Sequence, residues 1–257
     1  MAEIVGILNV TPDSFSDGGA FFTPKAAIGA IAEMAEQGVD VIDIGAESTR
    51  PGATPITPEE EWRRLQPVLS ALPHFGAVRF SVDTRHAETA RRALKAGAHW
   101  INDVEGFSDP AMLAAVGDSD CRMVVMHSLG VPADKNVVLP ESADVTAELL
   151  EWAHTRMGYI ENAGVARDRI IFDPGIGFGK TAAQSLAILR SIEKLKTLNV
   201  PIMVGHSRKS FLASFGGRDS ATLVVSQYLA AQGTNFLRVH EVAAHRRMLN
   251  VTQALYG

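Results

Sequence analysis

The sequence has a single cysteine, few aromatic residues and no excess of basic charge. Of 257 residues one is cysteine and 7% are aromatic, and 24 lysines and arginines stand against 29 aspartates and glutamates, for a formal net charge of -5. The one cysteine, Cys121, forms no internal disulfide, and its place in an apolar segment predicts a small core residue in a reducing compartment. The acidic balance offers no field for a polyanion, so nucleic acid is not expected as a partner.

The chain also lacks a long hydrophobic run and a basic leader. The segment from Glu3 to Leu8 is too short for a signal peptide and has no basic residues before it, and no apolar run approaches the length of a membrane span. With 46% hydrophobic and 21% charged residues, the composition is typical of a soluble enzyme. We therefore expect a cytoplasmic protein with no membrane partner.

Several motifs of nucleotide and metal binding are missing. The residues Gly179-Lys180-Thr181 end like a phosphate-binding P-loop, but that motif needs a glycine five positions before Gly179, where this chain has Pro174. No set of cysteines and histidines has zinc-ligand spacing, and no Gly-x-Ser-x-Gly elbow is present. The nucleotide interpretation is therefore weak.

Short β-branched runs alternate with longer amphipathic stretches along the whole chain. We predict eight strands, over residues 4–9, 39–44, 78–83, 99–103, 123–127, 169–173, 201–205 and 236–239. Helices are predicted over residues 24–37, 58–71, 87–96, 110–116, 143–163, 183–198, 219–232 and 242–255. Eight such units predict an α/β protein with a (β/α)8 TIM barrel, and because no linker divides them we expect one domain over residues 1–257. A doubly wound open sheet is the alternative fold, but no glycine fingerprint follows the first strand.

Barrels of this kind carry their functional site at the C-terminal ends of the strands. Polar residues concentrate at those predicted positions: Asn9, Asp43, Glu47, Thr49, Arg50, Asp83, Asn102, Asp103, His127, Asp173, Ser207, Arg208, Lys209, Arg238 and His240. Because a lone aspartate after a strand often only caps the next helix, we assign structural roles to four of them: Asp43, Glu47, Asp103 and His127. The convergence of the others on one face predicts a binding site.

The most informative of these positions is Asp173. It ends an apolar run where the glycine-rich turn 174–179 begins, so a carboxylate lies beside a backbone that a ligand can approach closely. Two cationic clusters follow the last two strands. The segment 205–210 is predicted to open a helix, where free N–H groups favour an anion, and Arg238 and His240 flank strand eight. The polar segments 9–19 and 48–52 are predicted to be a lid and a second mobile loop.

Seven segments, in chain order, resemble the motifs of one enzyme family. They are residues 7–19 (ILNVTPDSFSDGG), 47–52 (ESTRPG), 81–83 (SVD), 102–103 (ND), 173–180 (DPGIGFGK), 207–210 (SRKS) and 238–240 (RVH). Over essentially the whole chain they closely resemble dihydropteroate synthase. The resemblance implies the folate-pathway condensation of 6-hydroxymethyl-7,8-dihydropterin diphosphate with 4-aminobenzoate to 7,8-dihydropteroate and diphosphate. It also implies a cytoplasmic homodimer that is a sulfonamide target.

The same resemblance implies roles for individual residues. The pterin pocket is implied to contain Asp83, Asn102, Met126, Asp173, Phe178, Gly205, Lys209 and Arg238. The diphosphate side is implied to contain Asn9, Thr49, Arg50, Arg238 and His240, with Asn9 acting through a Mg2+ cofactor. The aminobenzoate side is implied to contain Phe15, Thr49, Pro51, Ser207 and Arg208, so the anion expected on the 205–210 turn is a carboxylate. Residues implied in catalysis are Asn9, Asp83, Asp173, Lys209, Arg238 and His240.

The mechanism implied by the resemblance is dissociative. Diphosphate leaves first, the pterin methylene carries positive charge, and the aniline nitrogen then attacks without a general base. Two alternatives remain open: a pterin-binding methyltransferase that passes a methyl group from methyltetrahydrofolate to a corrinoid, and an inactive pterin-binding paralogue. The first has no use for a diphosphate site. The second should have lost part of the lid or of the anion cluster, and this chain keeps both.

Overall fold

Eight parallel strands form the centre of the structure, a computed structural model that describes residues 1–11, 23–50, 52–134 and 136–256. The strands are β1 Glu3–Asn9, β2 Val41–Gly45, β3 Arg79–Asp83, β4 Trp100–Asp103, β5 Arg122–Met126, β6 Ile170–Asp173, β7 Met203–Val204 and β8 Phe236–Val239. They pair in the order β6-β5-β4-β3-β2-β1-β8-β7. A bridge between Phe172 and Ile202 brings the two ends of this sheet together. The predicted (β/α)8 barrel is confirmed.

Helices connect successive strands and cover the sheet. They are α1 Pro24–Glu36, α2 Pro58–Leu69, α3 Ala87–Lys95, α4 Pro110–Gly117, α5 Val145–Asn162, α6 Ala182–Arg190, α7 Ile192–Leu195, α8 Arg218–Ala231 and α9 Val242–Tyr256. Proline at the first position and a capping threonine or aspartate begin α1, α2 and α4, as the sequence pattern predicts. Within the described residues, no helix combines the length and the apolar character needed to cross a bilayer.

Two predicted elements differ from the structure. The helix predicted over residues 183–198 is broken at Ser191 into α6, α7 and a short 3-10 turn. Its buried residues keep helical spacing across the break, which explains why the pattern is continuous: Ile188, Leu189, Ile192, Leu195 and Leu198. The strand predicted over residues 201–205 is shorter: Pro201 has no N–H to donate to the ladder, and the N–H of Ile202 donates to Oδ1 of Asn235 at 2.9 Å.

The inside of the barrel is built in layers by the alternation of residues along each strand. An apolar plug, defined here by its seven residues, fills the middle: Val5, Val41, Trp100, Val124, Ile171, Met203 and Phe236. Towards the N-terminal ends of the strands, Arg79 pairs with Glu3 and also lies 5.7 Å from the Trp100 ring. The plug therefore fills the barrel between its two ends and forms the floor of the cavity at the C-terminal ends of the strands.

A second apolar layer lies between the strands and the helices. Residues of the other strand parity, such as Ile42 and Ile101, pack there against helix residues such as Met112 and Leu149. Cys121 is buried in this layer, and its sulfur lies 3.6 Å from Nη2 of Arg169. The prediction that Cys121 is a small core residue is confirmed.

Gly175 gives a test of how tightly the strand ends are packed. Its φ is +65°, and an added Cβ would lie 1.9 Å from the carbonyl oxygen of His127. Gly164 has a φ of +89° but nothing within 4 Å of such a Cβ. We expect Gly164→Ala to lower the free energy of unfolding by about 1 to 2 kcal/mol, the cost of left-handed backbone. Gly175→Ala should lower it by about 2 to 5 kcal/mol, because overpacking adds to that strain. Urea denaturation of both variants checks this, and equal losses would contradict the packing argument.

Candidate active site

On most strands, the residue two positions after the plug residue is polar or glycine. Because side chains alternate between the two faces of a strand, the residues that follow the plug also face the barrel axis, near its C-terminal end. They include Asp43, Asn102, Asp173 and Arg238, with Met126 and Gly205 between them. Asp83, at the end of β3, pairs in register with Asn102. Six residues of the sequence-predicted site are therefore brought together: Asp83, Asn102, Met126, Asp173, Gly205 and Arg238.

Arg238 is the centre of this cluster. Its Nε donates to Oδ2 of Asp43 at 2.6 Å, and its Nη2 donates to Oδ2 of Asp83 at 2.8 Å. Asn102 Nδ2 donates to the same Oδ2 of Asp43 at 3.0 Å. Among the residues that the structure describes, none makes a hydrogen bond to the other oxygen of Asp43. One guanidinium thus serves two carboxylates, and the cluster keeps an excess of acceptors.

The charge of this cluster is unbalanced. Burial raises the pKa of Asp83 to about 7; the cation Arg238 opposes the shift, while the neighbouring carboxylate of Asp43 adds to it. Burial lowers the pKa of Arg238, but the same two carboxylates outweigh it and raise that pKa, so the guanidinium remains protonated. A second carboxylate beside one guanidinium therefore lacks a full counter-charge. A ligand that brings N–H groups or positive charge would supply it.

Asp173 lies at the end of β6, as predicted, and is 3% exposed. Its Oδ1 accepts the N–H of Gly175 at 2.7 Å, so one oxygen shapes the glycine-rich turn. Burial raises the pKa of this carboxyl, against the N–H of Gly175 and the charges of Lys209 and Arg238. A Cβ on Gly205 would lie 3.6 Å from Oδ2 of Asp173, so the glycine leaves the second oxygen uncovered on that side.

Lys209 and Phe178 meet across the mouth of the barrel. The Nζ of Lys209 lies 4.2 Å from the centre of the Phe178 ring, a cation–π contact. Burial lowers the pKa of Lys209 to about 8, and the negative charge of Asp173 opposes the shift. The two residues follow the neighbouring strands β6 and β7, so they lie on the same side of the site as Asp173.

Lys180, the lysine of the P-loop-like stretch, is bound inside the protein. Its Nζ lies 2.8 Å from Nδ1 of His127 and donates to the carbonyl oxygen of Phe178 at 2.8 Å. Burial lowers the pKa of Lys180 to about 7, and burial together with the charge of Lys180 lowers that of His127 to about 3. Both groups join the ends of β5 and β6, which agrees with the structural role predicted for His127.

Ser207 and His240 bring the ends of β7 and β8 into contact. Ser207 Oγ lies 2.9 Å from Nδ1 of His240 and accepts the backbone N–H of His240 at 3.3 Å. Burial lowers the pKa of His240 to about 3, with further lowering by Arg208, Arg238 and Arg50, so the ring is neutral near pH 7. A neutral imidazole donates one hydrogen bond and accepts another, which suits a group beside an anion.

The expected helix start at the 205–210 turn is wrong. A 3-10 helix, Ser210–Phe215, follows the turn, and α8 begins only at Arg218. The guanidinium of Arg208 donates to Asp219 and Glu241, at 2.6 and 2.5 Å, and so already has two anionic partners. The turn therefore offers Ser207 and Lys209, rather than the N-terminus of an α-helix, to an anion.

Of the remaining predicted residues, the structure describes Asn9, Thr49 and Arg50, which end or follow β1 and β2. Asn9 ends β1 in register with Gly45, and the carbonyl oxygen of Thr49 accepts the N–H of Ala133 at 3.3 Å. The charge of Arg50 contributes to the lowered pKa of Lys209 and of His240, which places it on their side of the site. Phe15, Pro51 and most of the predicted lid lie outside the described residues.

Two further acidic residues serve local structure. Asp103 accepts the N–H groups of Glu105 and Phe107, at 2.8 and 2.7 Å, and so caps the turn after β4. Glu47 accepts from Arg85 with both oxygens, at 2.8 and 3.1 Å. A ligand atom from each of Glu47, Glu61 and His86 falls within 4.8 Å of the other two. Arg85 donates to both oxygens of Glu47, and the Thr84 hydroxyl donates to Glu61 at 2.7 Å, so protein side chains already supply donors to both carboxylates.

Asp43 is the residue of the cluster that the sequence reasoning assigned to structure. The signal that identifies it is parity: Val41 belongs to the plug, so Asp43, two residues later, must face the same axis. An aspartate at an inward position of a buried strand needs a partner. Arg238, itself inward on β8, provides it.

Asp43→Asn tests the charge argument. The carboxylate of Asp43 raises the pKa of Asp83, so its removal should move that pKa down toward the ordinary value. A carboxyl whose pKa is raised by folding opposes stability as pH rises from about 4, its unfolded value, to the folded value. Between pH 4 and pH 7 the free energy of unfolding should therefore fall less in the variant than in the native chain. Carbon-13 titration of Asp83 measures the shift, with Glu3→Gln at the other end of the barrel as control. An unchanged pKa would contradict the coupling.

Comparisons with known proteins agree with this geometry. Residues 5–240 match the family model described as pterin binding enzyme. A probable bifunctional folylpolyglutamate synthase/dihydropteroate synthase of Halobacterium salinarum is 43% identical over 261 residues, with 98% of this chain covered. The chain spans 31% of that relative's length, about a third.

Two solved structures share the whole fold. The dihydropteroate synthase of Xanthomonas albilineans with 4-aminobenzoic acid has a TM-score of 0.91 and 40% identity, over 99% of this chain and 93% of that one. The enzyme of Anaplasma phagocytophilum with bound 6-hydroxymethylpterin-monophosphate has a TM-score of 0.90 and 40% identity, over 99% of both chains. The chain belongs to the dihydropteroate synthase family of pterin-binding enzymes.

Proposed function

We propose that this chain condenses 6-hydroxymethyl-7,8-dihydropterin diphosphate with 4-aminobenzoate, to give 7,8-dihydropteroate and diphosphate. The observation that carries the proposal is the acceptor-rich cluster around Arg238 beside a donor-rich rim at the ends of β7 and β8. The Anaplasma relative binds a 6-hydroxymethylpterin and the Xanthomonas relative binds 4-aminobenzoic acid. A pterin and an aromatic acid fit the two halves of this site.

The acceptor-rich half suits the pterin. The 2-amino and ring N–H groups of a pterin form a donor edge, and a buried carboxylate such as Asp173 offers only acceptors. Lys209 can donate to the pterin carbonyl, and Phe178, which lies against Lys209, supplies an apolar face. We assign the same pocket to the neighbouring Asp83, Asn102, Met126, Gly205 and Arg238.

The donor-rich rim suits the anions. We assign the diphosphate to Asn9, Thr49, Arg50, Arg238 and His240, and the aminobenzoate carboxylate to Ser207. Arg208 is bound to Asp219 and Glu241 and so borders the aminobenzoate ring through its stem. Phe15 and Pro51, assigned to the same ring, remain predictions outside the described residues.

The charges of the site match a dissociative reaction. As diphosphate leaves, the pterin methylene becomes cationic, and Asp43 and Asp83 lie near with one guanidinium between them. Arg238 and neutral His240 donate to the departing diphosphate. The aniline nitrogen of aminobenzoate then forms the new C–N bond and releases a proton, for which no side chain acts as a dedicated base.

The residues present fit a Mg2+ ion bound with the diphosphate. Asn9 offers an amide oxygen at the strand end, and Mg2+ takes few protein ligands when phosphate oxygens and waters complete its shell. When bound, the ion neutralises charge on the leaving group. Asn9 is the residue that we propose to hold it.

Diphosphate release from the pterin diphosphate, measured with and without 4-aminobenzoate, tests the function. We expect dihydropteroate to form only with aminobenzoate, and diphosphate release to be fastest then. A corrinoid methyltransferase or an inactive paralogue would release none.

Excess EDTA should abolish turnover and leave the binding of an unphosphorylated pterin intact. Full turnover without divalent metal would refute the role of Mg2+ and Asn9.

Asp173→Asn tests the pterin assignment. The substitution keeps the size of the side chain but replaces an oxygen by an NH2 group that faces the donor edge of the pterin, so an attractive contact becomes repulsive. We expect the pterin affinity to fall at least about tenfold, which corresponds to roughly 1.4 kcal/mol. Calorimetry measures this beside a thermal melt. A large loss of Tm with intact affinity would show that Asp173 only caps the turn of Gly175.

We also propose that residues 1–257 form one domain that acts in the cytoplasm as a homodimer. The free, buried Cys121 suits a reducing compartment. On α8 and α9, which pack side by side, exposed apolar residues suit burial by a second copy: Val224, Tyr228, Val251 and Leu255.

Val224→Lys tests the dimer, because a lysine at the centre of an apolar interface would be buried without a partner. We expect light scattering to show the mass of a dimer for the native chain and of a monomer for the variant. Val137→Lys, at an exposed valine in the loop before α5, is the matched control and should remain a dimer. A monomeric native chain would refute the proposal.

A further inference from the structure

Three consecutive residues after β7 are each bound to the chain that follows β8. Ser207 contacts His240, and Arg208 donates to Glu241. His206 reaches His245 through a shared hydroxyl, that of Ser226 on α8. We call these three cross-connections the tether: 207 with 240, 208 with 241, and 206 with 245 through 226.

The innermost connection is a hydroxyl between two histidines. Ser226 Oγ lies 2.8 Å from Nε2 of His206 and 2.9 Å from Nε2 of His245. The exposed fractions of His206, Ser226 and His245 are 0%, 0% and 2%. Burial lowers the pKa of both histidines, that of His206 to about 4, so both rings are neutral at pH 7. Such a buried chain must be satisfied from within the protein.

The contacts determine the directions of the two hydrogen bonds to Ser226. His245 Nδ1 lies 2.6 Å from the carbonyl oxygen of Glu241, so Nδ1 carries the hydrogen and Nε2 is an acceptor. The single hydroxyl hydrogen of Ser226 therefore goes to His245. His206 Nε2 faces Ser226 Oγ at 2.8 Å and the carbonyl oxygen of Thr222 at 3.3 Å, so Nε2 carries the hydrogen and donates. His206 Nδ1 lies 3.4 Å from the carbonyl oxygen of Val204, a longer contact that this tautomer leaves without a hydrogen.

The tether lies beside a strained backbone. Arg208 has a φ of +57°, in the left-handed region that residues other than glycine seldom occupy. Such strain persists where the surrounding contacts hold it in place. The N–H of Arg208 donates to Thr222 Oγ1 at 3.1 Å, and the tether binds the Arg208 side chain and the two residues before it. The position of Ser207 therefore depends on contacts outside the pocket.

We propose that His206, Ser226 and His245 are positioning residues that hold the Ser207 hydroxyl against His240 for recognition of the 4-aminobenzoate carboxylate. The inference rests on the proposed function, because the role of Ser207 belongs to it. The tether connects the turn after β7 with α8, α9 and the chain after β8. Gly205, Lys209 and Arg238 of the proposed pterin pocket adjoin it, but Asp83, Asn102 and Asp173, which we assign to the donor edge of the pterin, lie on β3, β4 and β6. Loosening the tether therefore acts on the aminobenzoate end of the site more than on the acceptor side of the pterin pocket.

Ser226→Ala removes the shared hydroxyl without adding bulk. We expect the KM for 4-aminobenzoate to rise about threefold to tenfold, the factor for one neutral hydrogen bond, with kcat changed less than twofold. The affinity for an unphosphorylated pterin, measured by calorimetry, should also change less than twofold. Ser220→Ala, an exposed serine in the first turn of the same helix, is the matched control and should leave all three values unchanged. An unchanged aminobenzoate KM in Ser226→Ala, or equal losses for both ligands, would overturn the proposal.

Two substitutions at His245 test the tether without changing Ser226. Gln places a hydrogen-bonding atom near the position of Nε2 and can still accept from Ser226, whereas Asn reaches only the position of Nδ1. We expect His245→Gln to keep a near-native aminobenzoate KM and His245→Asn to raise it like Ser226→Ala. Equal KM values for the two variants would overturn the proposal, and this pair decides the matter if Ser226→Ala does not fold.

Nitrogen-15 spectra of the histidines provide a readout that needs no substrate. We expect His206 as the Nε2–H tautomer and His245 as the Nδ1–H tautomer, with the His206 resonance displaced in Ser226→Ala. An Nε2–H tautomer at His245 would overturn the hydrogen-bond chain.

Ser207→Ala, assayed in parallel, separates the proposed role of Ser207 from the proposed role of the tether. A normal aminobenzoate KM there would refute the role of Ser207 in the proposed function. A raised KM there beside a normal one in Ser226→Ala would refute only the inference about the tether.

Discussion

Arg238 lies between two carboxylates, with nitrogens 2.6 Å from Asp43, which is buried, and 2.8 Å from Asp83, which is partly buried. Two carboxylates that share one partner repel each other where solvent is partly excluded, and removal of the guanidinium would leave the buried charge of Asp43 without a counter-charge. One cation cannot balance both charges. Burial, with the charge of Asp43 added to it, raises the pKa of Asp83. The unbalanced negative charge favours a ligand that supplies N–H donors or positive charge.

The parallel register determines which side chains enter that layer. With a period of two, seven of the eight strands each place one residue in the plug, and six of these strands, β2 and β4 to β8, place the next residue of the same parity in the site. Aromatic bulk in the plug, where the Trp100 and Phe236 rings are 5.0 Å apart, keeps the floor dry and rigid. The polar cluster is therefore held by backbone geometry and by packing, and its own hydrogen bonds only orient the heads of side chains that already converge. A site of this kind needs no contribution from loops for its inner half.

Much of this arrangement could be predicted from the sequence, and the exceptions have physical causes. The strands were predictable because apolar runs such as 123–127 end in polar residues and glycine, and the position of Asp173 at a strand end followed from the same pattern. Asp43 was missed because its role depends on Arg238, 195 positions away, and no local pattern reports such a pairing. The break at Ser191 and the 3-10 helix after Lys209 were missed because buried residues keep helical spacing through one and the other is set by tertiary contacts. Local sequence patterns indicate the period of an element and which of its faces is buried. They do not indicate which other element that face contacts.

The two halves of the site differ in sign, and this difference has a consequence for the proposed reaction. Acceptors dominate where β2, β3 and β6 end, with Asp43, Asp83 and Asp173, and donors dominate where β7 and β8 end. The substrate separates into an organic cation and an anionic leaving group. This charge distribution stabilises both only when the cation lies beside the acceptors and the leaving group lies beside the donors. Arg238 stands on the boundary between the two halves, since it binds the carboxylates of one half and its positive charge helps to lower the pKa of His240 in the other. An uncharged imidazole there still donates to an anion but does not attract a second carboxylate. The neutral His240 can therefore bind the leaving group without pairing with an acidic residue of the barrel. The orientation of the substrate follows from the distribution of charge within the barrel.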